Sequence, residues 1–287
     1  MSDVPVVDTV PALRERLKDF RKKGERVALV PTMGALHDGH ISLVREARRH
    51  AERVVATIFV NPAQFGPSED FGKYPRTLTA DLGKLAGARA DLCFAPTLEA
   101  MYPPGFSTRV EVDGPARADL DDRFRPTHFC GVATVVAKLL NQAQADVAVF
   151  GEKDYQQLLV IQRLARDLDI ATEILGAPTL READGLAMSS RNVYLSKTER
   201  AAAPALHRVL KEGARRIGAG EPIEATLAQA SAELAEAGFV VDYVEARHAR
   251  TLARIDGRRD GPPIRLLAAA RLGATRLIDN LAVPHDA

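Results

Sequence analysis

RVALV-PTMGALHDGH-ISLVREARRH, residues 26–50, decides the fold of this chain. Residues 26–30 are an apolar run that predicts a buried strand, and residues 41–50 form an amphipathic helix whose first turn follows His40. A strand that leads through a glycine-containing loop into a helix N-terminus directs backbone N–H groups and the positive end of the helix dipole at the loop. The stretch therefore predicts an anion site, and His37 and His40 can reach one side of it.

Strands and helices alternate along residues 8–175. A first helix, capped by Asp8 or Thr9, should end before Gly24. Further strands are expected at 54–60, 92–95, 147–150 and 171–175, a short one at 108–112, and further helices at 78–87, 132–143 and 158–168. This alternation predicts an α/β fold, a doubly wound, Rossmann-like parallel sheet with helices on both faces.

The pattern changes near Pro178, which suggests a second domain. A loop containing READGLAMSSRN is followed by two Ala-rich helices, at 198–218 and 223–237. Strand-like runs then occupy 240–246, 264–271 and 275–280. We expect residues 1–177 to form the ligand-binding domain and residues 178–287 a smaller C-terminal α+β domain that acts as a lid.

Composition narrows the possible partners. The chain has 287 residues, and 39 basic against 38 acidic side chains give a net charge of +1, so no general electrostatic footprint for nucleic acid or an anionic membrane is expected. Two widely separated cysteines, without zinc-type spacing, favour a reduced compartment. The N-terminus lacks a signal-peptide pattern, and we expect a complete, cytoplasmic chain.

The H-x-G-H motif has two other interpretations. It could be a tight turn with two surface histidines, but the preceding strand and the following helix favour an anion site. It could also be a metal pair. His37 and His40 lack the i, i+4 spacing and the adjacent glutamate of zinc proteases, so a zinc site is not favoured.

Polar side chains follow two other predicted strands. Asn61 and Gln64 begin a long loop and could simply satisfy backbone groups there, although their place at a strand end favours contact with a ligand. Lys153 and Asp154, in GEKD, could be a surface ion pair. A glycine directly after a buried strand with a lysine two residues later is nevertheless typical of phosphate contacts, and Gln157 lies one helical turn further on.

Residues 188–191, MSSR, place two hydroxyl groups and a guanidinium on the interdomain loop. Serine-rich loops are common, so this segment alone is a weak signal. Together with the H-x-G-H loop it predicts a second set of donors for a polyphosphate.

PTMGALHDGH, FVNPAQFG, YPRT, RPTHFCGV, FGEKDYQQL and READGLAMSSRN occur in an order and spacing that resembles the pantoate–β-alanine ligases. H-x-G-H and the serine-rich loop alone would indicate only the wider group of H-x-G-H nucleotidyltransferases, which includes the class I aminoacyl-tRNA synthetases. The motifs span nearly the whole chain. Asp38 stands where glutamate is frequent in the family, and Cys130 also departs from its pattern.

The resemblance implies a reaction and an ATP site. Members of this family condense pantoate with β-alanine through a pantoyl adenylate, consume ATP and release AMP and pyrophosphate. The catalytic residues would be His37, His40, Lys153, Ser189, Ser190 and Arg191. ATP would contact these residues and Met33, Gly34, Gly151, Asp154, Leu180 and Met188.

The resemblance also implies substrate sites, a metal and an assembly. Pantoate would contact Asn61, Gln64 and Gln157, and β-alanine would contact Gln64, Tyr74 and Arg125. Mg²⁺ is expected on the ATP phosphates, with Asp81 as a candidate protein contact. The family implies a homodimer.

Alternatives to this function remain at the level of sequence. Another nucleotidyltransferase would keep its nucleotidyl product, whereas a ligase releases AMP. A tRNA synthetase is disfavoured because the C-terminal region carries no evident basic excess. A nucleotide-sensing module would leave both histidines and the second set of phosphate donors without a purpose.

Overall fold

A parallel sheet organises the first half of the chain in the computed structural model, which describes residues 4–66, 69–255 and 263–284. Its strands are β1 (Val6–Val7), β2 (Val27–Thr32), β3 (Arg53–Ile58), β4 (Leu92–Phe94), β5 (Val147–Gly151) and β6 (Glu173–Ala177). The six strands lie in the order β1-β4-β3-β2-β5-β6, and every adjacent pair is parallel. Strands β3 and β4 lie on one side of β2, and the chain then returns to pair β5 with the other side of β2. The edge between β2 and β5 is therefore the switch point at which such sheets bind ligands.

Helices cover both faces of this sheet. The helices of this part of the chain are α1 (Val10–Lys22), α2 (Asp38–Ala47), α3 (Leu78–Gly87), α4 (Leu98–Met101), α5 (Asp121–Phe124), α6 (His128–Ala143) and α7 (Tyr155–Asp167). Alternate residues of β2 face opposite cores: Leu29 packs with α1, α6 and α7, whereas Val30 packs with α2 and α3. The doubly wound α/β fold is confirmed.

A separate antiparallel sheet forms the C-terminal region. Its elements are α8 (Lys197–Ala202), α9 (Ala205–Gly218), α10 (Ile223–Glu236), β7 (Val240–His248), β8 (Ile264–Leu272) and β9 (Thr275–Ala282). The strands pair in the order β7-β8-β9 and share a core with α9 and α10. Because β6 ends at Ala177, we propose the domain boundary at residues 177–178.

Several element bounds differ from the sequence expectations. The expected strand at 108–112 is wrong, because this segment does not pair with the sheet; Val110 N donates instead to Thr134 Oγ1 on α6, at 3.0 Å. The expected helix at 198–218 is interrupted near Pro204 and forms α8 and α9. The first turn of helix α2 was expected after His40, but the helix begins at Asp38, because the side chains of His37 and His40 cap its N-terminus. No helix in the described ranges is both long and apolar enough to cross a membrane.

Gly131 marks a close approach between α6 and the short turn Pro62–Gln64. A Cβ atom at this position would overlap the carbonyl group of Ala63 and lie 2.6 Å from Gln64 N. Asn61 Nδ2 donates to the carbonyl oxygen of Gly131 at 3.2 Å. The contact therefore fixes the turn that carries Gln64 against the helix.

Substitution of this glycine tests that contact. Gly131→Ala should lower the free energy of unfolding by about 1–3 kcal/mol, because the backbone of the turn must move to admit a methyl group. Gly83 lies inside α3 with open space around its Cα. Gly83→Ala is the matched control and should raise stability by about 0.5–1 kcal/mol through helix propensity. Urea unfolding measures both; equal effects of the two substitutions would contradict the close packing.

Candidate active site

A cavity of 220 Å³ opens at the carboxyl ends of β2 and β5. The loops after β2, β3, β5 and β6 surround it, as the strand order requires. Most of the residues proposed from sequence line this cavity: Met33, His37, His40, Asn61, Gln64, Tyr74, Arg125, Gly151, Lys153, Asp154, Gln157, Leu180, Met188, Ser189, Ser190 and Arg191. Gly34 and Asp81 are not part of its lining.

Asp81 braces the loop that follows β2. Its carboxylate accepts hydrogen bonds from the backbone N–H groups of Ala35, at 2.9 Å, and Leu36, at 2.8 Å, and from the hydroxyl of Thr77, at 3.1 Å. The side chain is only 1% exposed. The carboxylate therefore holds the backbone of the loop, and its expected contact with Mg²⁺ stays a prediction.

Gly34 and Ala35 allow the loop to turn tightly over that carboxylate. Both have positive φ, +80° and +50°. A Cβ at Gly34 would lie 3.1 Å from Asp81 Oδ2, so the glycine serves the conformation of the loop as well as its packing.

His37 and His40 cap helix α2 reciprocally. His37 Nδ1 accepts from Gly39 N at 3.2 Å, and His40 Nδ1 accepts from His37 N at 3.3 Å. This arrangement starts the helix at Asp38. Since both Nδ1 atoms act as acceptors, each neutral ring carries its proton on Nε2. The two imidazole rings, with centroids 4.0 Å apart, thus bring two N–H donors to the helix N-terminus.

Both imidazoles are neutral at physiological pH. Burial lowers the pKa of His37 to about 4, and the positive charges of Lys153 and Lys84 contribute. Burial lowers the pKa of His40 further, to about 3, with additional effects of His37 and Lys153. The rings can donate hydrogen bonds to an anion without having to carry a positive charge.

The turn Glu152–Asp154 brings Lys153 to the wall of the cavity. It follows β5 directly and precedes α7. Lys153 Nζ lies 3.9 Å from Asp154 Oδ2, so the ammonium is only loosely paired. A cation, two neutral N–H donors and a helix N-terminus therefore face one space, which suits a polyanionic ligand.

Asn61 holds the side chain of Gln64 in place. Asn61 is 1% exposed; its Nδ2 donates to Gln64 Oε1 at 3.0 Å, and its Oδ1 accepts from the hydroxyl of Tyr102 at 2.8 Å. Gln64 Nε2 in turn contacts Met33 Sδ at 3.2 Å. The sulfur is a weak acceptor, so this amide group can exchange that contact for a better one to a ligand.

Arg125 is held by two residues that the sequence interpretation did not assign to the site. Glu69 accepts from Arg125 Nε at 2.6 Å and from Nη2 at 2.8 Å. His128 donates from Nδ1 to Gln64 O at 3.0 Å, which leaves its Nε2 to accept from Arg125 Nη1 at 3.1 Å. Burial, followed by the charge of Arg125, lowers the pKa of His128 to about 4. His128 was visible in RPTHFCG, but Glu69 gave no signal because its partner lies far away in sequence.

Residues 178–196 join β6 to α8 and are called the seam loop. This loop meets the loop after β3 across the cavity. Ser189 Oγ accepts from Arg191 N at 3.2 Å and caps the turn Ser190–Tyr194. The hydroxyl groups of Ser190 and Tyr74 lie 3.2 Å apart. Leu180 stands at the start of this loop, where its carbonyl oxygen accepts from Met188 N at 3.0 Å.

The fold and the cavity together define an α/β protein whose H-x-G-H motif lies at the switch point of a doubly wound parallel sheet. A sequence model of the pantoate–β-alanine ligase family matches residues 5–282. The chain belongs to the pantoate–β-alanine ligase family.

Curated relatives extend over the full chain. A pantothenate synthetase from Rhodopseudomonas palustris strain HaA2 is 59% identical over 278 residues, which cover 97% of this chain and 98% of the relative. Pantothenate synthetase 2 from Bradyrhizobium diazoefficiens is 58% identical over 284 residues, 99% of this chain and 100% of the relative.

Solved structures are similar over the same extent. A pantothenate synthetase from Thermus thermophilus superimposes with a TM-score of 0.92 at 47% identity, covering 98% of this chain and 99% of that one. A pantoate–β-alanine ligase from Francisella tularensis, described as complexed with β-γ ATP and β-alanine, has a TM-score of 0.81 at 32% identity, covering 97% of each chain.

The buried histidines make stability depend on pH. An unfolded histidine has a pKa of about 6.5, so the unfolded chain takes up protons below that pH. His40 and His128 in the folded chain do so only near their lowered pKa values of about 3 and about 4. Stability must therefore decrease as the pH falls from 6.5 toward 4.

His40→Asn should weaken this pH dependence. The asparagine oxygen can take over the acceptor role of Nδ1, but it does not titrate. Between pH 6.5 and 4.5 the unaltered chain should lose about 2 kcal/mol more unfolding free energy than His40→Asn. His128→Asn should act in the same direction. Urea unfolding at several pH values measures the difference; identical losses in all three proteins would contradict the buried, neutral state of these rings.

Proposed function

We propose that this chain condenses pantoate with β-alanine through a pantoyl-adenylate intermediate, with ATP as substrate and AMP and pyrophosphate as products. The observation that carries the proposal is the convergence of His37, His40, the α2 N-terminus and Lys153 on one cavity. The F. tularensis ligase described as complexed with β-γ ATP and β-alanine supports the choice of both substrates.

In the first step a carboxylate oxygen of pantoate attacks the α-phosphorus of ATP. A bond forms between that oxygen and phosphorus while the bond to the pyrophosphate oxygen breaks, and the leaving pyrophosphate keeps the electron pair. Negative charge grows on the α-phosphate oxygens and on pyrophosphate. Fixed donors that meet this charge accelerate the step. The Nε2–H groups of His37 and His40, with the ammonium of Lys153, are suited to this task because their positions are set before ATP arrives.

Ser189, Ser190 and Arg191 are proposed to bind the triphosphate from the seam loop. The serine hydroxyls and the guanidinium provide short, directed hydrogen bonds to phosphate oxygens. The contact between Ser190 and Tyr74 would close the cavity over the adenylate. Exclusion of water is valuable here because an acyl adenylate hydrolyses readily.

Gln64, Gln157 and Asn61 are the proposed pantoate contacts. The amides of Gln64 and Gln157 line the cavity and can bind hydroxyl and carboxylate groups at the same time. Asn61 acts on Gln64, whose Oε1 it holds at 3.0 Å, so that Gln64 Nε2 is directed toward Met33 and the nucleotide side.

In the second step the neutral amine of β-alanine attacks the acyl carbon. The new C–N bond forms, the C–O bond to AMP breaks, and the amine releases a proton. Arg125 is proposed to receive the β-alanine carboxylate together with Gln64 and Tyr74. Hydrogen bonds to described residues use four of the five N–H groups of Arg125, which leaves one on Nη1 for a ligand.

Mg²⁺ is proposed to enter with ATP as part of the substrate. Within residues 4–66, 69–255 and 263–284, no three His, Cys, Asp or Glu side chains come together as a ligand set for a metal ion. Asp81 is occupied by the loop backbone. We therefore expect phosphate oxygens and water to hold most of the coordination of the ion.

ATP–pyrophosphate isotope exchange tests the intermediate. The chain should exchange labelled pyrophosphate into ATP when pantoate is present and β-alanine is withheld, and it should release AMP after β-alanine is added. Exchange that does not depend on pantoate, or no exchange at all, would overturn the adenylate mechanism. A nucleotidyltransferase of another kind would keep the nucleotide on its product after β-alanine is added.

Two substitutions test the phosphate donors. His37→Ala and Lys153→Ala should each lower the adenylation rate by more than roughly tenfold, as loss of a preorganised donor does. His50→Ala is the matched control, because His50 lies on the surface near the end of α2 and pairs with Glu46. Single-turnover kinetics and circular dichroism separate rate from folding. Adenylation rates near those of the unaltered chain in both variants would remove these residues from the mechanism.

A further inference from the structure

The C-terminal sheet contacts the parallel-sheet domain along a boundary that we call the seam. There it holds the turn that carries Lys153. Asn280, on β9, is only 3% exposed. Its Nδ2 donates to the carbonyl oxygen of Glu152 at 2.9 Å and to that of Lys153 at 2.9 Å. Both N–H groups of this buried amide are therefore used on two successive carbonyls of one short turn.

Arg265, on the adjacent strand β8, completes the arrangement. Its Nε donates to Asn280 Oδ1 at 2.7 Å, and its Nη2 donates to Glu152 Oε2 at 3.0 Å. The guanidinium carbon lies 3.9 Å from the ring centroid of Tyr155, the first residue of α7. The amide of Asn280 thus has its oxygen and both hydrogens satisfied, and its orientation is fixed from the other side.

Asp279, the residue before Asn280 on β9, holds the seam loop, which carries the proposed phosphate donors at 189–191. Asp279 accepts from Arg181 Nη1 at 2.6 Å and from Nη2 at 2.9 Å. Arg181 lies near the start of the loop that leads to residues 188–191. Two successive residues of one strand therefore anchor the turn after β5 and the seam loop.

We infer that Asn280 is a positioning residue that fixes Lys153 for the adenylation step through the backbone of the turn Glu152–Asp154. The inference rests on the proposed role of Lys153. Without the Asn280 donors, the carbonyls of Glu152 and Lys153 would lose their partners in the seam, and the turn would rearrange to find others. The ammonium would then move away from the two imidazoles, on which it acts electrostatically in the intact arrangement.

A purely structural role for Asn280 predicts different behaviour. If the amide only holds the two sheets together, its loss would lower stability and affect activity whether or not Lys153 is present. If it acts through Lys153, its loss should matter little once the lysine has been removed. A double-mutant cycle distinguishes the two cases.

The cycle compares Asn280→Ala, Lys153→Ala and the double variant by pantoate-dependent ATP–pyrophosphate exchange. Asn280→Ala alone should slow exchange by roughly tenfold, as a displaced catalytic group does, but by less than about twofold in the Lys153→Ala background. Tyr243→Phe is the matched control, because it removes another partly buried hydrogen bond across the seam, from Tyr243 to Asp121 at 3.0 Å, which does not involve the turn Glu152–Asp154. It should leave the exchange rate near that of the unaltered chain. Equal, additive losses from Asn280→Ala in both backgrounds would overturn the inference.

Hydrogen–deuterium exchange provides a test that does not depend on activity. Amides of residues 152–157 should exchange faster in Asn280→Ala than in the unaltered chain, and Tyr243→Phe should not change them. Arg265→Lys, which keeps the positive charge but loses the Nε donor, should produce a smaller increase and guards against misfolding of the alanine variant. Unchanged deuterium exchange of residues 152–157 in both Asn280→Ala and Arg265→Lys would refute the inference. If the unaltered chain itself shows no pantoate-dependent reaction, the proposed function fails, while this measurement still decides whether Asn280 holds the turn Glu152–Asp154.

Discussion

The shape of the cavity depends on two hydrogen bonds that cap helix α2, from Gly39 N to His37 Nδ1 and from His37 N to His40 Nδ1. Each ring uses Nδ1 to accept a backbone N–H group in the first turn of α2. This consumes the only lone pair of each neutral imidazole, so the remaining N–H groups become available as donors. The tautomer that starts the helix is therefore also the tautomer that presents an N–H donor to the cavity.

The rest of the loop maintains that arrangement. Asp81 satisfies the backbone N–H groups of Ala35 and Leu36, and the ammonium of Lys84 donates to the carbonyl oxygen of Leu36. The carboxylate and the ammonium come from α3, a helix that does not line the cavity. The loop is consequently shaped before any ligand binds, which is the condition for donors to stabilise a transition state without reorganisation.

Local patterns in the sequence predicted much of this structure. The apolar runs, the glycine-containing loop and the strand–helix alternation indicated the parallel sheet, and the ends of β2, β3 and β5 indicated which side chains would converge. Residues 108–112 misled the prediction because alternating polarity alone does not supply a partner strand. The contact of Asp81 with Mg²⁺ came only from the family resemblance and stays a prediction, and the sequence did not show that its carboxylate accepts from the backbone of Ala35 and Leu36. Glu69 and Asn280 could not be found at all, because their partners are distant in sequence and their roles exist only after the sheets have packed.

The pairing of β2 with β5 also determines when the cavity can exist. Val27 N donates to Asp146 Oδ2 at 2.7 Å across a separation of 119 residues, and Ala28 and Leu29 are in register with Val147 and Ala148. The loop with the two histidines is synthesised early, but the wall that carries Lys153 joins it only after this long loop has closed. During synthesis on the ribosome the histidine loop is therefore present long before the lysine that faces the same cavity.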